Sequence, residues 1–235
     1  QEAQAMMATR ALSDAGPPTA EPAGDRQVFA IADRVALAGN STVRRPLMAP
    51  VRLPADRRYV LEGQGEAWPG RLGAAEDLLR PRVAVTVENA ADGPLARPLP
   101  AGIVSVRAED GEAPLPALLL AEARLPTTPV GERVTLDLGE AFDVSARRQV
   151  TDFEWRGDPD PRSNRRPYRA RHEITLRNAK ADAVTVRVVE TFSGEWRIEE
   201  ASAEFARRDA GTAIFDVAVS AGGSATLSYS VLVEG

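Results

Sequence analysis

From residue 26 onward, apolar residues recur at every second position in short runs. Val83, Val85 and Val87 alternate with Ala84 and Thr86, and Val134, Leu136 and Leu138 with Thr135 and Asp137. Ile174 and Leu176 flank Thr175, and Val184, Val186 and Val188 flank Thr185 and Arg187. Ile103-Val104-Ser105-Val106 follows a Pro-Ala-Gly turn, and Leu227, Tyr229, Val231 and Leu232 close the chain. A period of two means one buried and one solvated face, the signature of antiparallel sheets. Turn formers separate the runs at Gly39-Asn40-Ser41, 89–93, Glu109-Asp110-Gly111, Asn178-Ala179-Lys180, Asp209-Ala210-Gly211 and Gly222-Gly223. This spacing predicts roughly thirteen to fifteen strands and an all-β fold of two packed antiparallel β-sandwich units. Residues 73–80 read as a short helix before Pro81. Residues 115–123 have helical composition but sit at hairpin spacing, and so read as a strand.

Residues 1–25 differ. Helix formers at 2–14 stop at Gly16-Pro17-Pro18, and 17–25 read as a flexible linker. The expectation is a helical or disordered leader, or the end of a coiled coil. A boundary falls near 146–150. Residues 26–146 then form a first β unit, and 147–235 give about seven strands, the size of an immunoglobulin-like sandwich without its cysteine pair.

Composition removes several kinds of chemistry. The 235 residues contain no cysteine and one histidine, His172. Disulfide scaffolds, zinc-thiolate sites and cysteine nucleophiles are excluded, and no two-histidine metal site can form within one chain. The net charge of −5 argues against nucleic acid as a partner. Residues 26–146 carry 14 basic and 16 acidic residues and 147–235 carry 14 of each, so neither part is a dedicated polyanion binder. No apolar run approaches the ~18 residues of a membrane helix. No cofactor motif is present, because Gly63-Gln64-Gly65 lacks the third glycine and the strand–helix setting of a nucleotide loop.

Candidate chemistry is sparse. A Ser-His-Asp centre would have to use His172, yet Tyr168, Ala170, His172, Ile174 and Leu176 share the apolar face of one strand, the place of a core histidine. No Gly-x-Ser-x-Gly elbow supplies a nucleophile. Asp158, Asp160 and Asn164 offer oxygens in a proline-locked loop without the spacing of a calcium site, and read as a hairpin tip. Trp68, Trp155 and Trp196 would form a sugar platform only if two were exposed together; burial is the commoner fate. The sharpest surface feature is Arg162, Arg165, Arg166, Arg169 and Arg171, five guanidinium groups with no acid in 162–171. Such a cluster binds phosphates, anionic glycans or a partner's carboxylates, or pairs with neighbours such as Glu154 and Glu173.

Several segments in register resemble one family. These are Arg97-Pro98-Leu99-Pro100-Ala101-Gly102, 121–132, 136–144, 147–153, 173–178, Trp196-Arg197-Ile198-Glu199 and 219–227. In order and spacing, 27–235 resembles the C-terminal domain of the mucoidy-inhibitor-A-like bacterial proteins. The resemblance implies an exported, periplasmic or envelope-associated β protein, in which a smaller domain and a coiled coil often precede this one. It carries over no catalytic or ligand residues. The expectation is a non-enzymatic envelope protein that acts by protein–protein interaction or structural assembly. The alternative is a carbohydrate- or anionic-polymer-binding module, with a hydrolase third.

Overall fold

The computed structural model describes residues 19–23, 26–30, 39–40, 42, 47–73, 78–108, 118–158 and 166–234. They form an all-β protein of fourteen strands with one short 3-10 turn at Pro69–Arg71. Of the leader expected over 1–25, residues 1–18 lie outside the described residues. The linker expected at 17–25 is in part a hairpin: β1 (Thr19–Ala23) pairs antiparallel with β2 (Arg26–Ala30). Of the helix expected at 73–80, residues 74–77 lie outside the description. Leu79 is extended and bridges Ala146. Pro81 and the open edge beside Leu79 favour an extended chain over a single helical turn.

The chain divides into two compact units. The first comprises Gln1–Ala55, Val87–Val104 and Arg124–Val134. Asn89, buried there, is its clasp. Its Nδ2 donates to the carbonyls of Arg97 (2.8 Å) and Pro129 (3.0 Å), and its backbone N–H to Glu132 (2.9 Å). These bonds tie the loops at 97, 129 and 132 to one buried asparagine.

The second unit, Asp56–Thr86, Ser105–Ala123 and Thr135–Gly235, holds a two-sheet sandwich. Its strands are β3 (Asp56–Gln64), β4 (Arg82–Glu88), β7 (Arg133–Glu140), β8 (Val144–Trp155), β9 (Tyr168–Asn178), β10 (Val184–Thr191), β11 (Glu195–Ala201), β12 (Phe205–Asp209), β13 (Thr212–Val219) and β14 (Ser224–Glu234). One sheet runs β12-β13-β10-β3-β4-β7 and the other β11-β14-β9-β8. The seven strands from β8 onward match the number expected for 147–235. They do not close a domain there, because β3 pairs in parallel with β10 and brings β4 and β7 into the same sheet. The boundary expected near 146–150 therefore falls inside one unit. A parallel partner more than 120 residues away in sequence leaves no hairpin signal, and local pattern alone does not reveal it.

Burial follows the alternation. Ala170, His172, Ile174, Leu176 and Asn178 of β9 point inward between exposed neighbours. Val186, Val188, Phe215, Leu227 and Val231 complete a sealed core. Each such side chain contributes roughly 1.5–3 kcal/mol through loss of apolar surface to water. The remaining strands, β5 (Gly102–Ala108) and β6 (Leu118–Leu125), form a two-stranded sheet of their own. The strand reading of 115–123 thus holds over its described part.

Candidate functional site

The interior of the sandwich holds a polar cluster. Arg148 of β8 and Glu190 of β10 form a forked ion pair between the two sheets: Nη1 donates to Oε2 at 2.8 Å, and Nη2 bonds Oε1. Both side chains are buried. Each continues the alternation of its strand, Arg148 after Val144 and Ala146, Glu190 after Val184, Val186 and Val188. Extending the period by one step would have placed both inside. Neither is singled out by the sequence, since long charged side chains on strands mostly face water.

Beside the pair, His172 stacks on Tyr229 with ring centroids 4.9 Å apart, and Tyr229 stacks on Phe215 at 5.3 Å. Burial, and then the Glu190 carboxylate, push the Tyr229 hydroxyl up. Burial pushes the His172 imidazolium down to about 3; the Arg148 guanidinium acts the same way, and the Gly65 backbone opposes both in part. The imidazole is therefore neutral. Among the described residues, no hydroxyl or carboxylate is hydrogen-bonded to either of its nitrogens, so no nucleophile or orienting acid engages it. A Ser-His-Asp relay needs both. The sequence reading of His172 as a core residue is what the burial shows.

This histidine predicts a pH dependence. Its folded pKa lies below the unfolded value near 6.5, so between about pH 6.5 and 3 the unfolded chain binds a proton that the folded chain rejects. Stability is fully present above that window and falls as pH drops through it, by up to about 1.4 kcal/mol per pH unit. Urea midpoints at pH 6.5, 5.5 and 4.5 should show this slope, and His172→Phe, which keeps the ring stack, should flatten it.

The arginine cluster is divided. Arg162 and Arg165 lie outside the described residues. Arg169 pairs with Glu199 at 2.9 Å and Arg171 with Glu200 at 3.7 Å. Arg166 donates its Nε to the Gly157 carbonyl (2.8 Å) and lies over the Trp155 ring. Glu154, expected to pair within the cluster, instead meets Arg156 at 3.0 Å.

The three tryptophans separate into two kinds. Trp196 is buried; its Nε1 donates to the Ala210 carbonyl at 2.7 Å, and Arg207 covers its ring at 4.0 Å. It staples β11 to the β12–β13 turn. Trp155 and Trp68 are 39% and 47% exposed. A surface groove of about 480 Å³ is lined by Asp56, Arg58, Lys180, Asp182, Arg187 and Asp216. Two of its three carboxylates serve ion pairs, Asp56 with Arg58 and Asp216 with Arg187, each at 2.7 Å. The Arg187 guanidinium holds the Asp216 carboxyl below the usual range. A glycosidase acid needs a raised value. Among the described residues, no group of three His, Cys, Asp or Glu is placed to hold a metal ion, and no helix is long and apolar enough to cross a membrane.

No family model, no curated protein and no solved structure matches this chain.

Proposed function

We propose that the protein is a non-enzymatic component of the bacterial cell envelope that works by protein–protein interaction or structural assembly, with the β5–β6 ribbon as its docking element. The observation that carries this reading is the ribbon itself. A two-stranded sheet is marginally stable alone in water. This one exposes Ile103 at 69%, Leu119 at 50% and Leu120 at 38%. Leu119 and Leu120 adjoin on β6, and exposed apolar side chains that adjoin mark an interaction site more often than single ones do. The sheet edges are less suited to strand addition. All five residues of β12 are exposed, it carries Arg207, Arg208 and Asp209, and both β11 and β12 are bulged, devices that blunt an edge. Arg169 and Arg171 already have carboxylate partners, which places the arginine face second. The envelope location, and an immunoglobulin-like character for the C-terminal strands, rest on the resemblance of 27–235 to the mucoidy-inhibitor-A-like domain and on the strand number.

A photo-reactive amino acid placed at position 103 or 119 in living bacteria tests the reading. Irradiation should yield a discrete crosslinked species from these positions, and none from position 197 on the outer face of β11. Absence of any species from the ribbon would remove it as the docking element.

A further inference from the structure

We propose that the outer face of the β8–β9–β14 sheet, around Ser145, binds the phosphate group of a phosphorylated sugar, independently of the ribbon. Side chains alternate across a strand, so the buried Ala146, Ile174, Leu176 and Leu227 put Ser145, Arg147, Thr175, Arg177 and Thr226 on the outer face. The register sets these in two rows. Ser145 and Ser224 stand on either side of Arg177, and Arg147 and Thr226 on either side of Thr175. Arg147 and Arg177 are therefore diagonal neighbours across β8 and β9, a spacing that long side chains bridge. The segment before β4 adds a third cation. Leu79 and Ala146 exchange both backbone hydrogen bonds at 2.9 Å, which puts Arg80 opposite Ser145. The Arg80 Nη1 donates to the carbonyls of Ala141 (3.2 Å) and Phe142 (2.6 Å). Those bonds hold its guanidinium at this edge and leave Nε and Nη2 to donate elsewhere.

The charges here are arranged unlike those at the other end of the same face. There Arg169 and Arg197 meet Glu199, and Arg171 meets Glu200. Among the described residues, Arg147 and Arg177 have neither a hydrogen bond nor an ion pair. Like charges side by side on a sheet are destabilising, and an anion between them removes that cost. Glu173 and Asp143 border the rows. Three guanidinium groups thus stand against two carboxylates, a local positive excess in a chain of net charge −5. The charge of the rest of the chain is screened beyond about 8 Å at physiological salt, so contact decides what binds. A carboxylate has two oxygens and satisfies one fork. Forks that converge from several sides call for a tetrahedral oxyanion, and a phosphate monoester offers three free oxygens and about −1.5 to −2 charge at neutral pH. The hydroxyls of Ser145, Thr175, Ser224 and Thr226 both donate and accept, as a sugar's hydroxyls require. No aromatic side chain stands on the two rows, so a nucleobase finds nothing to stack on.

The test titrates the isotopically labelled full chain with glucose 6-phosphate, glucose, glucuronate and adenosine monophosphate, and follows the backbone amide resonances. Glucose 6-phosphate should give saturable shifts centred on Ser145, Arg147, Thr175 and Arg177. Glucose and glucuronate should bind about tenfold more weakly or less, the worth of one charge-assisted contact, and adenosine monophosphate no more tightly than glucose 6-phosphate. Arg147→Gln and Arg177→Gln should each weaken binding about tenfold for the same reason, while Arg197→Gln, at the paired end of the face, should change nothing. Because neither Arg147 nor Arg177 bonds to the protein, both variants should melt at the temperature of the unaltered chain. Absence of shifts, shifts centred elsewhere, equal binding of glucuronate, tighter binding of adenosine monophosphate, or undiminished binding in folded Arg147→Gln/Arg177→Gln would each overturn the proposal.

Discussion

Glu190→Gln should lower the unfolding free energy of the sandwich by about 3–5 kcal/mol, the cost of leaving one partner of a buried ion pair charged and unmatched. Arg148 and Glu190 sit between the two sheets, where water cannot take over for a lost carboxylate. The double variant Arg148→Met/Glu190→Leu should lose far less, and an apolar replacement of a buried pair is often neutral. The measurement is a urea titration followed by fluorescence of the buried Trp196, with the two single variants and the double variant forming a cycle. A Glu190→Gln cost below about 1 kcal/mol, the range of exposed pairs, would mean the pair is solvated.

Gly63→Ala should be comparably damaging, although it adds one methyl group. Gly63 stands beside Glu190 in the parallel register of β3 and β10. A Cβ there would lie 1.8 Å from Arg148 Nη2 and 2.5 Å from its Cζ. The guanidinium is the mobile end of a long side chain, but it can yield only by releasing Glu190. Overpacking typically costs about 1–3 kcal/mol, and a broken buried pair adds more. In the Arg148→Met/Glu190→Leu background the clash with the fork is gone, and the same substitution should cost little. That strong non-additivity, read from the same urea titrations, separates the contact with Arg148 from a general intolerance of alanine in β3.

The fold class was legible because it rests on alternation, and alternation is a local property. Tyr168, Ala170, His172, Ile174 and Leu176 share the inward face the pattern assigned to them. The unit boundary was not legible, because the β3–β10 pairing joins segments with no local signal between them. The ion pair was partly legible. Arg148 and Glu190 stand in phase with the apolar residues of their strands, yet nothing local pairs one with the other across 42 residues of sequence. The strand at Thr19–Ala23 was hidden by its composition, since Pro22 and two alanines carry little β propensity and only the partner strand Arg26–Ala30 specifies it. The status of the tryptophans depends on where the sheets end, and a sequence does not mark that. Trp155 and Trp196 both lie in edge strands, but only Trp196 belongs to the buried core, where its ring meets Phe192.

The reading of the protein as an assembly component turns on whether the ribbon holds a partner. The direct measurement is mild extraction of the full chain from its native source, as the unaltered protein and as Ile103→Ser/Leu119→Ser. The stoichiometry of co-purifying polypeptides is then quantified by mass spectrometry. The account predicts a polypeptide, or a second copy of this chain, in fixed ratio with the unaltered protein and lost from the variant, while the sandwich of the two forms melts at the same temperature. An identical set of chains with both forms, or none with either, would contradict it.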